Sequence, residues 1–204
     1  MSAEPIAAIL LAAGESRRMG HPKPLLPWLG TTLIAYQVEQ LTLAGAAPIV
    51  VVLGAEARRA AVPLRGYREL VLVFNPLYSL GKTTSLQAGV RALPSGVGAL
   101  LVLAVDQPRR SETLQQLLNA HLQGSALITT PVYRGRRGHP PVLSSPLLPD
   151  LHDLLEEEQG LRGVMRRYQS RTQQIPVESP EVLLDLNSPE DYRGALAFFE
   201  RLQL

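Results

Sequence analysis

Ile6-Ala7-Ala8-Ile9-Leu10-Leu11-Ala12-Ala13-Gly14-Glu15-Ser16-Arg17-Arg18-Met19-Gly20-His21-Pro22-Lys23 is the stretch whose reading sets the fold of this 204-residue chain. Its first half, Ile6 to Leu11, is an unbroken apolar run bounded by small residues. Such a run reads as a strand of a parallel sheet covered on both faces. Its second half is a loop with two glycines, a serine, two arginines and a lysine. Backbone amides that glycine lets come close, with cations beside them, make a cradle for a polyphosphate. Two familiar fingerprints are excluded. The dinucleotide pattern Gly-x-Gly-x-x-Gly lacks a glycine, since only Gly14 and Gly20 are present, and the Gly-Lys-Ser/Thr ending of a P-loop is missing.

Outward from that loop, apolar runs alternate with amphipathic stretches. Thr32 is a good N-cap for a helix whose apolar face is Ile34, Val38 and Leu41, and Gly45 stops it. Strands are predicted at 49–53, 70–74, 100–105 and about 126–130, with helices at 56–62, 83–93 and from Ser111 to Leu122. Further helices are expected over 151–158, 161–168 and 189–202, and a short late strand over 183–186. Ser188-Pro189-Glu190-Asp191 supplies the cap, proline and acids of a helix start. The Gly-, Pro- and Arg-rich span 132–149 is expected to be irregular or hairpin-like, a lid or acceptor loop. Strands alternating with helices predict an α/β fold in one domain, residues 1–204. The sheet is mostly parallel and doubly wound, with helices on both faces in three layers. Ligands of such sheets gather outside the carboxyl ends of the strands. Gly14, Asn75 and Asp106 all fall there.

Composition narrows the function. There are no cysteines, so neither a disulfide framework nor a thiolate metal site exists. Met1 to Glu4 lead into the first strand without a secretory h-region, and the longest apolar run, 97–105, is too short to span a bilayer. A cytoplasmic location, with no membrane partner, is expected. A formal net charge of +2 gives no general basic field for nucleic acid. The chain has 18 arginines and two lysines, Lys23 and Lys82, both beside Gly- or Pro-rich turns. In a chain that uses arginine for surface charge, the remaining lysines point to compact charges of the kind phosphates require. Gly81-Lys82-Thr83-Thr84 ends like a P-loop, but that spacing demands glycine where the chain has Pro76.

Leu11-Ala12-Ala13-Gly14-x-Ser16-x-Arg18-Met19-Gly20-x-Pro22-Lys23 resembles the signature of the MobA-like nucleotidyltransferases, and within them the molybdenum-cofactor cytidylyltransferase branch most. Guanylyl-transferring relatives usually read Leu-Ala-Gly-Gly and Asp-Lys where this chain has Leu-Ala-Ala-Gly and Pro22-Lys23. The resemblance continues through Asn75-Pro76 with Gly81 and Ser85, Asp106-Gln107-Pro108, Gly138-His139-Pro140 and the closing Asp185-Leu186-Asn187-Ser188-Pro189-Glu190-Asp191.

The resemblance implies a nucleotide-diphospho-sugar transferase-like (Rossmann-like) sheet. It implies transfer of a nucleotidyl group from a nucleoside triphosphate, CTP in first place, to a phosphate-bearing acceptor, molybdopterin or its molybdenum form, releasing pyrophosphate. Leu11, Ala12, Ala13, Gly14, Ser16 and Gly20 would wrap the nucleotide, with Asn75, Ser85 and His139 near nucleotide or acceptor. Arg18 and Lys23 would offset charge growing on the pyrophosphate. Asp106 stands at the end of a long apolar strand, where a carboxylate suits Mg²⁺, bound through one or two carboxylates plus substrate phosphates. Asn187 stands where relatives have a second aspartate, so a second carboxylate for the metal is either Asp185 or missing. Lys82 has two readings, a contact for an acceptor phosphate or the cap of a surface turn. His139 is either a turn residue or an acceptor contact, and Arg134, Arg136 and Arg137 either meet an anionic acceptor or are solvated. The implied protein partner is a molybdoenzyme or its chaperone. The rival functions are a guanylyl or other transferase with a different phosphorylated acceptor, and a non-catalytic nucleotide-binding carrier.

Overall fold

The computed structural model describes residues 5–67, 70–155 and 157–203, so the Met1–Glu4 segment read above lies outside the described residues. Among the described residues the strands are β1 (Ile6–Ala12), β2 (Pro27–Trp28), β3 (Thr31–Thr32), β4 (Ile49–Leu53), β5 (Leu70–Phe74), β6 (Ala99–Ala104), β7 (Ile128–Tyr133), β8 (Arg136–Arg137), β9 (Val142–Ser144) and β10 (Thr172–Pro176). The helices are α1 (Leu33–Leu43), α2 (Ala57–Ala60), α3 (Lys82–Arg91), α4 (Ser111–Gln123), α5 (Leu148–His152), α6 (Leu161–Arg167) and α7 (Pro189–Arg201).

The main sheet runs β10-β7-β9-β6-β1-β4-β5, with β8 folded back on β7 as a hairpin. β1 lies at its middle, parallel to β4 on one side (Leu10 opposite Val51) and to β6 on the other (Leu10 opposite Leu103). Because successive strand residues point to opposite faces, the continuous apolar run of β1 feeds two cores. Ala8, Leu10 and Ala12 pack with Leu33, Val38, Leu41, Leu114 and Phe199 of α1, α4 and α7. Ala7 and Ile9 pack with Leu86, Val90, Leu151 and Val164 of α3, α5 and α6. The three-layer α/β reading therefore holds. The sheet is mixed and mostly parallel.

The chain winds outward from β1 through β4 to β5, then returns through α3 to β6 on the opposite side of β1. The direction of winding reverses between β1 and β6. That is where the carboxyl ends of an open sheet leave a crevice. The loop after β1 and Asp106 after β6 flank this switch point.

Four places differ from the sequence reading. The strand expected over 183–186 is a short 3-10 helix, Pro180–Leu183, followed by irregular chain. Pro180 at its first turn and the Ser179 side chain, which accepts from the Glu181 N–H, favour a helical turn there. The helix expected from Leu151 already runs over Leu148–His152, with Pro149 in its first turn, and stops at Asp153. Residue 156 of the expected span lies outside the described residues. The span read as irregular or hairpin-like contains the β7–β8 hairpin and also β9, an antiparallel strand wedged between β6 and β7. β10, missed because Thr172-Gln173-Gln174 carries no apolar run, pairs parallel with β7 at the sheet edge.

Candidate active site

After β1 the chain makes a tight bend. Ser16 adopts the left-handed region (φ 56°), its carbonyl accepts the Met19 N–H at 2.9 Å, and its Oγ accepts the Lys23 N–H at 2.9 Å. The buried Met19 side chain pins the bend to the core and leaves Arg17 and Arg18 exposed. Gly20 (φ 67°) ends the turn. A Cβ added to Gly14 would meet no atom within 4 Å. No protein atom therefore demands glycine there, and the open space belongs to the crevice. Gly54 differs. A Cβ there would lie 2.6 Å from the Ala13 carbonyl, which the Ala55 N–H holds at 3.0 Å. The β4 end thus sets the path of the β1 loop.

Lys23 reaches across the crevice. Its Nζ lies 2.7 Å from Asp106 Oδ2, and the two side chains are only 12% and 14% exposed. Asp106 is held from the far side as well. Its carbonyl accepts the Leu186 N–H at 2.8 Å, drawing residues 185–187 alongside the β6 end. Gln107 Nε2 donates to Asp185 Oδ1 at 2.7 Å, and Arg18 Nη2 donates to Asn187 Oδ1 at 3.1 Å. The Lys23–Asp106 and Arg18–Asn187 contacts border an open cavity of about 230 Å³.

Of the residues singled out in sequence, Leu11, Ala12, Ala13, Gly14, Ser16, Arg18, Lys23, Ser85 and Asp106 line that cavity, joined by Lys82 and Asn187. Gly20, Asn75, His139 and Asp185 are not part of its lining. Asn75 is buried behind the wall. Its Nδ2 donates to Thr84 Oγ1 at 3.0 Å and to Ser85 Oγ at 2.9 Å, and its Oδ1 accepts the Leu77 N–H at 3.0 Å. It braces Ser85 rather than facing the crevice. His139 is exposed, with its main chain fully engaged. The N–H donates to the Val182 carbonyl at 2.8 Å and the carbonyl accepts Arg109 Nε at 2.9 Å. Desolvation holds its imidazole below the usual range, with the positive charges of Arg109, Arg162 and Lys82 acting the same way and Asp185 opposing. The turn needs Gly138, because a Cβ there would sit 2.5 Å from the Val182 carbonyl.

Sequence reasoning missed the buried polar groups behind Asp106. Gln37 in α1 is fully buried and donates to the Gln107 carbonyl at 2.6 Å. Glu181 is fully buried and accepts from Arg110 Nε at 2.9 Å. Arg109 is fully buried among carbonyls, and burial lowers its pKa to about 10, against the attraction of Glu181, Asp185 and Asp106. Gln37 carried a signal, a polar residue within the apolar stripe of Ile34, Val38 and Leu41. Arg109, beside Arg110, carried no local signal of burial.

The arrangement offers two kinds of chemistry. Arg18, Lys23 and Lys82 are cations around a cavity whose open side runs along Gly14, which suits a polyphosphate. Among the described residues no group of three or more His, Asp or Glu forms a metal cage. Asp106, in the cavity wall, is a carboxylate of the kind that a hard cation takes together with phosphate oxygens, while Asp185, tied to Gln107, lies outside the lining. Lys23 engages only one oxygen of Asp106.

A family model for the MobA-like NTP transferase domain matches residues 8–173. Nicotine blue oxidoreductase of Paenarthrobacter nicotinovorans is 35% identical over 173 residues, covering 79% of this chain and 82% of that protein. Molybdenum cofactor cytidylyltransferase of Escherichia coli is 27% identical over 195 residues, 92% of this chain and 93% of that one. A crystal structure from Mycobacterium tuberculosis superposes with a TM-score of 0.82 at 26% identity, over 96% of this chain and 100% of that one. The same protein has been solved in complex with manganese, with a TM-score of 0.77. No helix among the described residues is long and apolar enough to cross a membrane.

Proposed function

The chain belongs to the MobA-like NTP transferase family, and from that premise we propose that it moves a cytidylyl group from CTP to a phosphate-bearing acceptor of the molybdopterin type, releasing pyrophosphate. The observation that carries the reading is the 2.7 Å contact between Lys23 Nζ and Asp106 Oδ2 across the switch point of the sheet. It joins the cationic loop to the carboxylate of the facing strand in one cavity, as a metal–triphosphate requires.

In this reading the acceptor phosphate oxygen attacks the α-phosphorus, the bond to the oxygen bridging α and β breaks, and pyrophosphate leaves. No protein nucleophile takes part. The residues act by position and charge. Backbone along Gly14 to Gly20 follows the triphosphate, while Lys23 and Arg18 offset the charge that grows on the departing pyrophosphate. Asp106 and Asp185 are the residues to hold Mg²⁺, which when bound supplies charge neutralisation on the phosphates. Asn187, beside Arg18, substitutes an amide for a carboxylate at the crevice rim. Ser85 and Lys82 form the wall left for the base or the acceptor. Support for cytidylyl transfer comes from Ala12-Ala13 and Pro22, where the sequence sides with the cytidylyl branch, and from the 27% identical relative named for that activity. A cytoplasmic setting and delivery of the product to a molybdoenzyme or its chaperone complete the proposal.

The test is pyrophosphate release from CTP, GTP, UTP and ATP with Mg²⁺ and a phosphorylated pterin. Release with CTP is expected. Release with GTP alone would move the protein to the guanylyl rival. Binding of a triphosphate without release would make it a carrier. Redox turnover with no pyrophosphate, as the name of the 35% identical relative suggests for that protein, would overturn the proposal.

A further inference from the structure

The turn between β6 and α4 buries an arginine with no carboxylate in contact among the described residues. All five N–H groups of the Arg109 guanidinium end on main-chain carbonyls. Nε donates to His139 at 2.9 Å. Nη1 donates to Pro108 at 2.7 Å and Leu184 at 3.2 Å, and Nη2 to Val182 at 3.1 Å and Leu184 at 3.3 Å. Its own N–H donates to Gln37 Oε1 at 3.3 Å, and Gln37 holds the Gln107 carbonyl in turn. One side chain thereby gathers three stretches far apart in sequence: the strand end 106–108, the turn 138–140 and the run 182–185.

Burying a cation among neutral carbonyls is a costly way to fill a core. A planar fork of five fixed donors, however, can set the relative position of several carbonyls at once, as a lysine with one nitrogen cannot. What it positions here is specific. Leu184, which receives two of the bonds, precedes Asp185, and Pro108 follows Gln107, the donor to Asp185.

We propose that Arg109 is a positioning residue of the transfer site, clamping the 182–185 run and the 138–140 turn to the β6 end so that Asp185 is held against the strand end whose Asp106 lines the crevice of the metal–nucleotide. The proposal rests on the reading of those two carboxylates as metal ligands given above. Gly138 is the second half of the clamp, since only a residue without Cβ lets the turn close on Val182. The nucleotide loop on the other side of the crevice takes no bond from Arg109, so the clamp acts on the metal and not on the base or sugar.

The test uses the full chain, with Arg109→Lys and Gly138→Ala as variants. CTP affinity without metal is read by calorimetry, Mn²⁺ affinity in the presence of CTP by electron paramagnetic resonance, and local opening by hydrogen exchange. Both variants are expected to bind CTP alone as the wild type does, to bind Mn²⁺ about tenfold or more weakly, and to exchange faster over 182–187. Exchange rises more over 182–187 than in β1 and β4, whereas a general loss of stability would raise all of them together. Where Arg109→Lys fails to fold, Gly138→Ala decides. Folded variants whose Mn²⁺ affinity stays within about twofold of the wild type overturn the clamp. A wild type that takes up no Mn²⁺ with CTP present overturns the functional reading with it.

Discussion

The two banks of the crevice are built on opposite principles. On the β1 side one continuous stretch, Ala12 to Lys23, supplies the glycines, the serine and the cations, and it is open. A Cβ at Gly14 would touch nothing, and Arg17 and Arg18 stand in solvent. On the β6 side three separate stretches are sewn together by fully buried Arg109, Gln37 and Glu181, and a Cβ at Gly138 would strike the Val182 carbonyl at 2.5 Å. The first bank leaves room for a ligand; the second holds its own groups in place. Substitutions on the open bank should change function with little effect on stability. Those behind the sewn bank should change stability first.

The largest expected effect tests where the banks meet. Lys23→Ala and Asp106→Asn should each lower pyrophosphate release by about a hundredfold or more, since the first removes a cation aimed at the reacting phosphates and the second the carboxylate proposed to hold their metal. A folded Lys23→Ala protein with wild-type turnover would break the comparison at its root. Next, Arg109→Leu takes the guanidinium donors from the carbonyls of Pro108, His139 and Leu184. At about 1–3 kcal/mol for each orphaned buried group, unfolding by urea should show a loss of roughly 3 kcal/mol or more. Arg18→Ala, which breaks an exposed contact, should cost no more than about 0.5 kcal/mol in the same experiment.

The two glycines sharpen the contrast. Gly138→Ala should cost about 1–3 kcal/mol by overpacking against Val182. Gly14→Ala should alter stability by no more than about 0.5 kcal/mol, while weakening CTP binding measured by calorimetry. Equal stability losses would erase the distinction between the banks.

The smallest effect concerns acid. His121 in α4 is buried, with Nδ1 2.8 Å from Thr129 Oγ1 and Nε2 3.2 Å from Ser144 Oγ, and desolvation holds its pKa below the usual value. Its stabilising contribution is complete above about pH 6.5, the ordinary value for the unfolded chain. It is lost as pH falls below that, because the unfolded state takes up the proton first. Tm measured against pH should decline on the acid side in the wild type and decline less steeply in His121→Gln.

This contrast also explains what the sequence made legible. The β1 bank could be read because its chemistry is contiguous: an apolar run, then Gly14, Ser16, Arg18, Gly20 and Lys23 within a few residues. The sheet could be read because β1, β4 and β6 are buried on both faces and their apolar runs are unbroken. The β6 bank could be read only in part. Asp106 stood out at a strand end, but its neighbours arrive from residues 138–140 and 181–187 through the wedge of β9, and no local spacing encodes that meeting. Arg109 was not legible because its partners are carbonyls, which every sequence has everywhere. Asn75 was placed at the ligand because it follows β5 directly. The structure turns its amide away from the crevice onto Thr84 and Ser85.

The central claim is that Lys23 and Asp106, 83 residues apart, hold one metal–triphosphate between them. Calorimetric titration of Mg·CTP into wild type, Lys23→Ala and Asp106→Ala tests it most directly. Each variant should bind about tenfold or more weakly, a difference of about 1.4 kcal/mol. Wild-type affinity in either folded variant would contradict the account.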